Sequence, residues 1–389
     1  EYPNVVRMKL LGATVVPGLV DPHCHLREPG QEYKEDIATG TRSAAAGGFT
    51  TVACMPNTDP VCDRAAIVRA IRLRAEEVGV VRVLPIGAVS KGLKGVELSE
   101  MGLMAEAGAV GVSDDGSPVF DADLMRKAVQ YAAEFGLRVI SHCEELSLSA
   151  EGHMNEGALA VRMGLRGIPS LAEEIMVARD LLIAEDLDLP IHLAHLSSAR
   201  SVRMVREAKR RGVPVTAETC PHYFALTEEA CRGYNTNAKM NPPLRTERDV
   251  EAIVEGLADG TLDWIATDHA PHHADEKDTD FALAKNGIIG FETAFPLAYT
   301  FLVRTGRMTL PLLLDRMSRK PAAFLGVPGG SLEPGNPADL AVLDLDTPFR
   351  VDPGLLRSKA RNTPFGGWTL HGKPLMTLAG GRIVHDALR

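Results

Sequence analysis

A pair of histidines one residue apart constrains this chain more than any other feature of its sequence. His23 and His25 follow the apolar run at 14–20, and such a run is typical of a buried strand. Because side chains on a strand alternate between two faces, His23 and His25 point to one face and Cys24 points to the other. Two neutral imidazoles on one face can bind a Zn²⁺-like ion. The alternative is a pair of surface histidines in a turn, and further ligands elsewhere in the chain decide between the two.

The length and charge of the chain restrict its class and its partners. A chain of 389 residues buries a large core, enough for two domains or for one large α/β barrel with an appendage. The net charge of −9 and the lack of a basic cluster among aromatic residues argue against nucleic-acid binding. No apolar run reaches the length of a membrane span, so no membrane contact is expected.

The six cysteines are scattered through the sequence and form no Cys-x-x-Cys pair. A disulfide framework would show closely spaced pairs in a short chain. The spacing therefore predicts free thiols in a reducing compartment, and hence a cytoplasmic protein.

Short apolar runs alternate with amphipathic stretches along most of the chain. The predicted strands are 14–20, 50–54, 82–88, 109–113, 138–142, 190–195, 213–218 and 263–267. Predicted helices between them include 64–78, 121–136, 170–187, 198–211 and 247–258. Eight such units with apolar strands predict an α/β fold, a closed parallel (β/α)₈ TIM-like barrel. The rival is an open doubly wound sheet, which normally carries a glycine-rich phosphate turn after its first strand, and none is present.

The pattern changes after about residue 320, where turns rich in glycine and proline precede strand-like segments at 338–344 and 374–384. We therefore expect a barrel domain over 14–325 and a small β appendage from 1–13 and 326–389, formed mainly by the C-terminal segment. The first residue is Glu1 and not Met, so the N-terminal part of this appendage is expected to be incomplete.

Side chains that can ligate a metal follow several of the predicted strands. They are His23 and His25 after the first strand, Asp114 and Asp115 after the fourth, His142 after the fifth, His195 after the sixth and Asp268 after the eighth. In a parallel barrel these strand ends meet at one rim, where active sites are built. A mixed His and Asp set favours Zn²⁺ or a similar first-row ion over Mg²⁺.

These motifs resemble the amidohydrolase superfamily, and two segments narrow the resemblance to the dihydroorotase family. Residues 23–30 (HCHLREPG) resemble its first signature, with Cys24 where a small aliphatic residue is usual, and residues 266–277 (ATDHAPHHADEK) match its second. Residues 55–58 (MPNT) and 241–245 (NPPLR) also look like family segments. The resemblance extends from about residue 14 to the C-terminus. Cys24 is expected to matter little, because its side chain points away from the metal face.

The resemblance implies a binuclear site with two Zn²⁺ per subunit. His23, His25 and Asp268 would hold one ion, His142 and His195 the other. Many relatives bridge the two ions with a carboxylated lysine on strand four, but there is no lysine between Gly108 and Pro118. This absence resembles the bacterial class I branch, in which an aspartate is the bridge. By resemblance Asp115 takes that role, with Asp114 as the alternative, since strand alternation alone does not choose between them.

The implied reaction is the reversible cyclisation of N-carbamoyl-L-aspartate to L-dihydroorotate, a step of de novo pyrimidine (UMP) biosynthesis. A metal-bridging hydroxide would attack a ring amide, and Asp268 would be the proton shuttle. The alternatives are another cyclic amidase, of allantoinase or hydantoinase type, or a non-catalytic dihydroorotase-like scaffold for a carbamoyltransferase. A homo-oligomer is expected, and a complex with aspartate transcarbamoylase is compatible with either role.

Dihydroorotate is a small-molecule substrate with a carboxylate, so a local cation must overcome the negative charge of the chain. Arg27 lies two residues after His25 on the same face, and its planar guanidinium suits a carboxylate. Asn57 follows the second strand and is placed to donate to the same group. By resemblance, further substrate-binding positions are Asn241, His272, Asn286 and Gly287. The family more often has an aromatic residue at position 286, so backbone groups are the expected contacts there.

Overall fold

The computed structural model describes residues 8–10 and 12–388, in which short strands alternate with helices. The strands are β1 (Thr14–Pro17), β2 (Leu19–Cys24), β3 (Phe49–Cys54), β4 (Arg82–Pro85), β5 (Val112–Ser113), β6 (Val139–Ser141), β7 (Met154–Asn155), β8 (Gly167–Ile168), β9 (Ile191–Leu193), β10 (Val215–Thr219), β11 (Trp264–Ile265), β12 (Leu340–Asp344), β13 (Phe349–Arg350), β14 (Thr369–Leu370), β15 (Lys373–Ala379) and β16 (Arg382–Asp386).

The α-helices cover the outside of these strands. They are α1 (Ile37–Ala46), α2 (Ala65–Val78), α3 (Met101–Ala107), α4 (Ala122–Glu134), α5 (Leu146–Ser149), α6 (Ala158–Met163), α7 (Leu171–Leu187), α8 (Ala199–Arg210), α9 (Pro221–Ala225), α10 (Glu247–Asp259), α11 (Ala274–Lys277), α12 (Phe291–Ala298), α13 (Leu310–Leu314) and α14 (Lys320–Leu325). Two π-helical segments, Tyr299–Val303 and Asp315–Arg319, continue α12 and α13.

Eight parallel strands close into a barrel. The strands β2, β3 and β4 form one parallel sheet, and β5, β6, β9, β10 and β11 form a second. Parallel bridges join the two sheets on both sides, between Gly87 and Val112 and between Cys24 and His269. The chain order around the ring is therefore that of a (β/α)₈ barrel, and the predicted fold class is confirmed.

Apolar side chains fill the barrel below its C-terminal rim. A buried cluster joins Val20 of β2, Ala53 of β3, Ile140 of β6 and residues that follow β4 and β9. Because several of these strands are not neighbours, their side chains meet inside the ring. Leu325 of α14 belongs to the same cluster. A filled interior leaves the rim as the place where polar groups can gather.

The predicted first strand at 14–20 was wrong in one respect, because it is two strands and not one. Thr14–Pro17 pairs antiparallel with β12 and lies outside the barrel, while Leu19–Cys24 is the first barrel strand. The break comes at Gly18, whose N–H donates to the carbonyl of Asp339. A Cβ at Gly18 would lie 2.3 Å from Oγ1 of Thr50, so only glycine fits where the chain passes from one sheet to the other.

The C-terminal strands form a separate antiparallel sheet, as predicted, in the order β1-β12-β15-β16. The division into a barrel domain over 14–325 and an appendage from 1–13 and 326–389 remains a proposal. In that proposal Thr14–Pro17 is better counted with the appendage, and residues 1–7 and 11 lie outside the described residues. In the described part of the chain, no helix has both the length and the apolar character to cross a membrane.

Candidate metal and substrate site

The C-terminal rim of the barrel holds a cavity of about 370 Å³, and the predicted site residues gather around it. All of them except His23 line this cavity: His25, Arg27, Asn57, Asp115, His142, His195, Asn241, Asp268, His272, Asn286 and Gly287. His23 is fully buried directly beneath them, with Nε2 3.4 Å from Asp115 Oδ1. The convergence follows from the barrel, whose parallel strands all end at this rim.

The ends of β2 and β11 are joined so that two histidines and an aspartate face one point. The Asp268 N–H donates to the His23 carbonyl at 3.0 Å, and the His25 N–H donates to the His269 carbonyl at 2.8 Å. As a result, His25 Nε2 lies 3.0 Å and His23 Nε2 lies 3.7 Å from Asp268 Oδ1. One ligand atom from each of these three side chains lies within 4.8 Å of the others, which is a spacing that can hold one ion.

Asp115 lies at the centre of the site, in contact with four imidazoles. Its carboxylate oxygens lie 3.4 Å from Nε2 of His23 and of His25, 3.5 Å from His142 Nδ1 and 3.3 Å from His195 Nε2. The side chain therefore touches both histidine pairs, which is the position that a bridging ligand needs.

Asp114 lies outside this cluster. Its Oδ1 accepts the backbone N–H groups of Val89 at 2.8 Å and Ser90 at 3.0 Å, and its Oδ2 accepts the Ser90 hydroxyl. Asp114 thus ties two rim loops together. Of the two aspartates left open by the sequence, the geometry brings Asp115 to the histidines.

The residues present fit a metal centre. Nε2 of His23 is buried and has no hydrogen-bond partner among the described residues, although buried polar atoms in proteins are normally paired. Four imidazoles and two carboxylates form the mixed donor set that Zn²⁺-like ions prefer.

The carboxylates of the cluster stabilise positive charge on the rings. Burial favours the neutral ring of His142, but hydrogen bonds with Asp115 and Glu144 raise its pKa to about 10. Burial opposes ionisation of Asp268, but the hydrogen bond with His25 and the neighbouring rings lower its pKa to about 2. The site thus holds two ionised carboxylates against the imidazoles, as a bound cation requires.

Partners outside the cluster fix which nitrogen each ring presents. His23 Nδ1 lies 2.7 Å from Glu218 Oε1, and His25 Nδ1 lies 2.8 Å from Asn57 Oδ1. Since both oxygens accept, the Nδ1–H groups donate and both Nε2 atoms are free to bind a metal. In His142 the nitrogens are exchanged: its Nε2–H donates to Glu144 Oε2 at 2.9 Å, and its Nδ1 faces the cluster.

Sequence reasoning missed Glu218. This side chain on β10 is 1% exposed, and its Oε2 accepts the indole N–H of Trp264 at 2.7 Å and lies 3.2 Å from His192 Nε2. The available signal was a glutamate at the end of the predicted strand 213–218, because a charge at the end of a barrel strand is buried only with partners. His192 lies in this core, as its position on the opposite strand face from His195 predicts.

Sequence reasoning also missed Asp21, which joins the ends of two barrel strands. Its two oxygens accept the N–H of Thr267 at 2.9 Å and the Thr267 hydroxyl at 2.6 Å, which ties the start of the histidine pair to the strand end that carries Asp268. Glu144 contacts His142, and Glu145 caps α5 by accepting the Ser147 N–H.

Arg27 is buried beside the cluster and lines the same cavity. Its Nε donates to the Pro271 carbonyl at 3.1 Å, and its Nη2 lies 3.5 Å from His272 Nε2. Arg27, His195 and Asp268 all have positive φ, at 63°, 34° and 45°. Non-glycine residues rarely adopt this conformation, and strain of this kind gathers at functional sites.

The remaining predicted substrate contacts line the cavity, but several already have protein partners. Asn241 Nδ2 donates to Glu144 Oε2 at 2.8 Å, and the Asn57 oxygen is occupied by His25. The Gly287 N–H donates to the Lys239 carbonyl at 2.9 Å, and the exposed Asn286 offers its carbonyl to His272 Nε2 at 2.7 Å. These groups shape the cavity wall, with the amide groups of Asn57 and Asn241 nearest to the histidines.

A closed parallel barrel with a rim cavity lined by histidines and aspartates is the architecture of a metal-dependent hydrolase. Family models described as "Dihydro-orotase-like" and "Amidohydrolase family" match residues 12–201 and 288–385. The L-hydantoinase (dihydropyrimidinase) of Arthrobacter aurescens has a similar structure, with a TM-score of 0.87 and 27% identity over 97% of this chain and 86% of its own.

The sequence comparison is more specific. The chain is 58% identical to a protein named dihydroorotase from Acetivibrio thermocellus, over 96% of this chain and 88% of that protein. It is 57% identical to one of the same name from Ruminiclostridium cellulolyticum, over 96% and 87%. The chain belongs to the dihydroorotase family.

Replacing Glu218 with glutamine tests whether the outer carboxylate supports metal binding. An amide holds the His23 N–H less strongly, and changes of this kind cost about 10- to 100-fold in metal affinity. We therefore expect Glu218→Gln to bind Zn²⁺ that much more weakly in a competition titration with a chromogenic chelator. The control is Glu185→Gln on the exposed side of α7, where Glu185 pairs with Arg211. Equal affinities of the two folded variants would contradict this role.

Proposed function

We propose that the protein is a dihydroorotase that catalyses the reversible cyclisation of N-carbamoyl-L-aspartate to L-dihydroorotate in pyrimidine (UMP) biosynthesis. One observation carries this proposal: the cavity of about 370 Å³ contains both the metal-type cluster around Asp115 and the guanidinium of Arg27. The cluster supplies the means to hydrolyse an amide, and Arg27 supplies a partner for the substrate carboxylate. The named relatives at 58% and 57% identity support the same assignment.

The proposed cofactor is two Zn²⁺ per subunit. His23, His25 and Asp268 would hold one ion, His142 and His195 the other, and Asp115 would contact both. Such ions supply Lewis acidity to a carbonyl and lower the pKa of water. The distances around Asp115, all between 3.3 and 3.5 Å, support a shared ligand.

Arg27 is assigned to the substrate carboxylate. Its Nε is held by the Pro271 carbonyl, so the guanidinium is fixed in place before substrate arrives. A fixed planar cation loses little freedom on binding a carboxylate and can donate two parallel hydrogen bonds. His272 and the amides of Asn57 and Asn241 complete the wall around the ring, with backbone groups of Asn286 and Gly287 at the edge.

Asp268 is assigned to proton transfer. In hydrolysis, the oxygen of water adds to the ring carbonyl carbon, the bond between that carbon and the ring nitrogen breaks, and the nitrogen needs a proton. Asp268 accepts the proton from the water and delivers it to the nitrogen. In ring closure the same carboxylate moves the proton the other way. Its Oδ1, 3.0 Å from His25 Nε2, faces the cluster at which the oxygen is activated.

The other candidates fit the site less well. A hydantoinase shares the barrel, as the Arthrobacter aurescens structure shows, but hydantoin has no carboxylate for Arg27 to bind. A non-catalytic scaffold would have no use for a complete set of six candidate ligands, Asp115 among them. The dihydroorotase assignment accounts for both features.

We also propose a cytoplasmic location, supported by six free buried thiols. The family resemblance is the basis for two proposals on assembly, a homo-oligomer and a complex with aspartate transcarbamoylase. Separate elution of the two enzymes from a size-exclusion column would count against the second.

Dihydroorotate has a carboxylate and hydantoin has none, so substrate charge distinguishes the two activities. Arg27→Lys tests whether the Arg27 guanidinium binds that carboxylate. A point charge does not replace a two-pronged donor, and the loss of one charge-assisted hydrogen bond is worth about 1.5–3 kcal/mol, or about 10- to 100-fold in KM. We expect wild-type protein to prefer L-dihydroorotate to hydantoin, and Arg27→Lys to raise KM for dihydroorotate with a smaller change in kcat. Steady-state rates on both substrates measure this.

The control for that experiment is Arg42→Lys, at an exposed position of the otherwise mostly buried helix α1. An unchanged KM in Arg27→Lys would remove Arg27 from carboxylate binding. A wild-type kcat/KM for hydantoin equal to that for dihydroorotate would favour the hydantoinase assignment.

Asp268→Asn tests the proton transfer. The amide keeps the shape of the side chain but does not accept a proton, and general acid–base groups contribute about 10²- to 10⁴-fold to rate. We expect kcat to fall within that range while much of the zinc, counted by atomic emission, is retained. The matched control is Asp275→Asn, an exposed carboxylate of the same segment. An Asp268→Asn variant with full metal and kcat within threefold of wild type would rule out Asp268 as the proton carrier.

A further inference from the structure

A second cleft lies beside the catalytic cavity and has His272 as a common wall. It has a volume of about 600 Å³ and opens between α11, the Thr236–Ala238 turn and the segment 359–362. The charged side chains that line it are Lys34, Lys277, Lys359, Arg361 and Asp278. The carboxylates of Glu276 and Asp36 pair with two of these cations, so four cations face three carboxylates and the cleft has a small excess of positive charge in a chain of net charge −9.

Two of the four cations have carboxylate partners, and two do not. Lys34 Nζ lies 3.0 Å from Glu276 Oε1, and Lys359 Nζ lies 2.5 Å from Asp36 Oδ2. Among the described residues, no carboxylate oxygen lies within 4.0 Å of the side-chain nitrogens of Lys277 or Arg361. Lys277 Nζ donates to the Lys285 carbonyl at 2.7 Å. Arg361 Nη1 donates to the carbonyls of Ala360, at 2.7 Å, and Ser358.

Lys277 is a buried cation that no carboxylate contacts among the described residues. Its side chain is 6% exposed, and a buried ammonium group is costly without a counter-ion. Burial, together with the nearby ammonium of Lys239, lowers the pKa of Lys277 to about 7. Lys239 is also buried, and its Nζ donates to the Ala282 carbonyl and not to a carboxylate. An anion in the cleft would supply the missing charge.

The wall between the cleft and the catalytic cavity is thin. His272 lines both, and Arg27 Nη2 lies 3.5 Å from its Nε2 on the catalytic side. Asn362, on the cleft side, accepts the His272 N–H and donates to the carbonyls of Ala270 and Gly287, which line the cavity. An anion in the cleft is therefore one side chain away from the residue assigned to the substrate carboxylate.

The two molecules that the proposed reaction interconverts differ in charge. Open-chain N-carbamoyl-L-aspartate carries two carboxylates, while cyclic L-dihydroorotate carries one. Because the chain as a whole is negative, the dianion is repelled more strongly and gains more from a local positive surface on its way in. We propose that this cleft is a docking site that holds a carboxylate of the open-chain substrate before it enters the catalytic cavity. The proposal rests on the dihydroorotase assignment.

The test is a comparison of the two reaction directions in the zinc-loaded enzyme, with Arg361→Glu and Lys277→Met as the variants. Arg361 is exposed, so its replacement leaves the fold intact, and Lys277→Met removes the buried cation with little change in length. Arg210→Glu, which makes the same charge change at an exposed position at the far end of α8, is the control. Rates are measured with each substrate at ionic strengths of about 0.02 and 0.5 M, because screening separates charge effects from shape effects.

We expect Arg361→Glu to lower kcat/KM for N-carbamoyl-L-aspartate by about tenfold at low salt and by less than about twofold at high salt. The effect on dihydroorotate is expected to be smaller, with kcat unchanged in both directions. Lys277→Met is also expected to raise the KM for N-carbamoyl-L-aspartate. Equal effects of Arg361→Glu and Arg210→Glu, or equal effects on the two substrates, would overturn the docking site. No turnover of either substrate by the wild-type enzyme would instead overturn the dihydroorotase assignment.

Discussion

The contacts of Asp115 with four imidazoles are what the rest of the site depends on. One carboxylate reaches nitrogens of His23, His25, His142 and His195 at 3.3–3.5 Å because β2, β6 and β9 end at the same rim. Closure of the barrel by the parallel bridges at Gly87 and Cys24 fixes these strand ends relative to one another. An open sheet would leave β2 and β11 at separate edges, and Asp268 would not meet the histidine pair.

A second set of polar groups makes this arrangement specific. Glu218, Asn57 and Glu144 each hold the outer nitrogen of one ring, so the inner nitrogen is the one that faces Asp115. The buried carboxylate of Glu218 is stable because Trp264 and His192 also face it. A substitution at Glu218, Asn57 or Glu144 would therefore change the orientation of the ring that it contacts, although none of the three is a candidate metal ligand.

The sequence predicted the barrel because the alternation of apolar runs and amphipathic stretches is strong. It also predicted which side chains gather at the rim, because they follow those runs. The sequence did not predict where the backbone changes its pairing partner, because the residue types do not change at that point. Residues 14–20 are apolar throughout, and only the close approach of Gly18 to Thr50 shows that the run serves two sheets. Strand alternation does not separate Asp114 from Asp115 because both follow a two-residue strand, and the hydrogen bonds of Asp114 to Val89 and Ser90 come from a distant loop. Glu218 was missed because its partners are not neighbours in sequence.

The most direct test of this account is dihydroorotate hydrolysis, followed by the ring amide absorbance, on protein stripped with a chelator and then titrated with Zn²⁺. The arrangement around Asp115 predicts that stripped protein is inactive and that activity returns with zinc and levels off near two equivalents per chain. Full activity without metal, or a protein that binds two zinc ions and turns over no dihydroorotate, would contradict it.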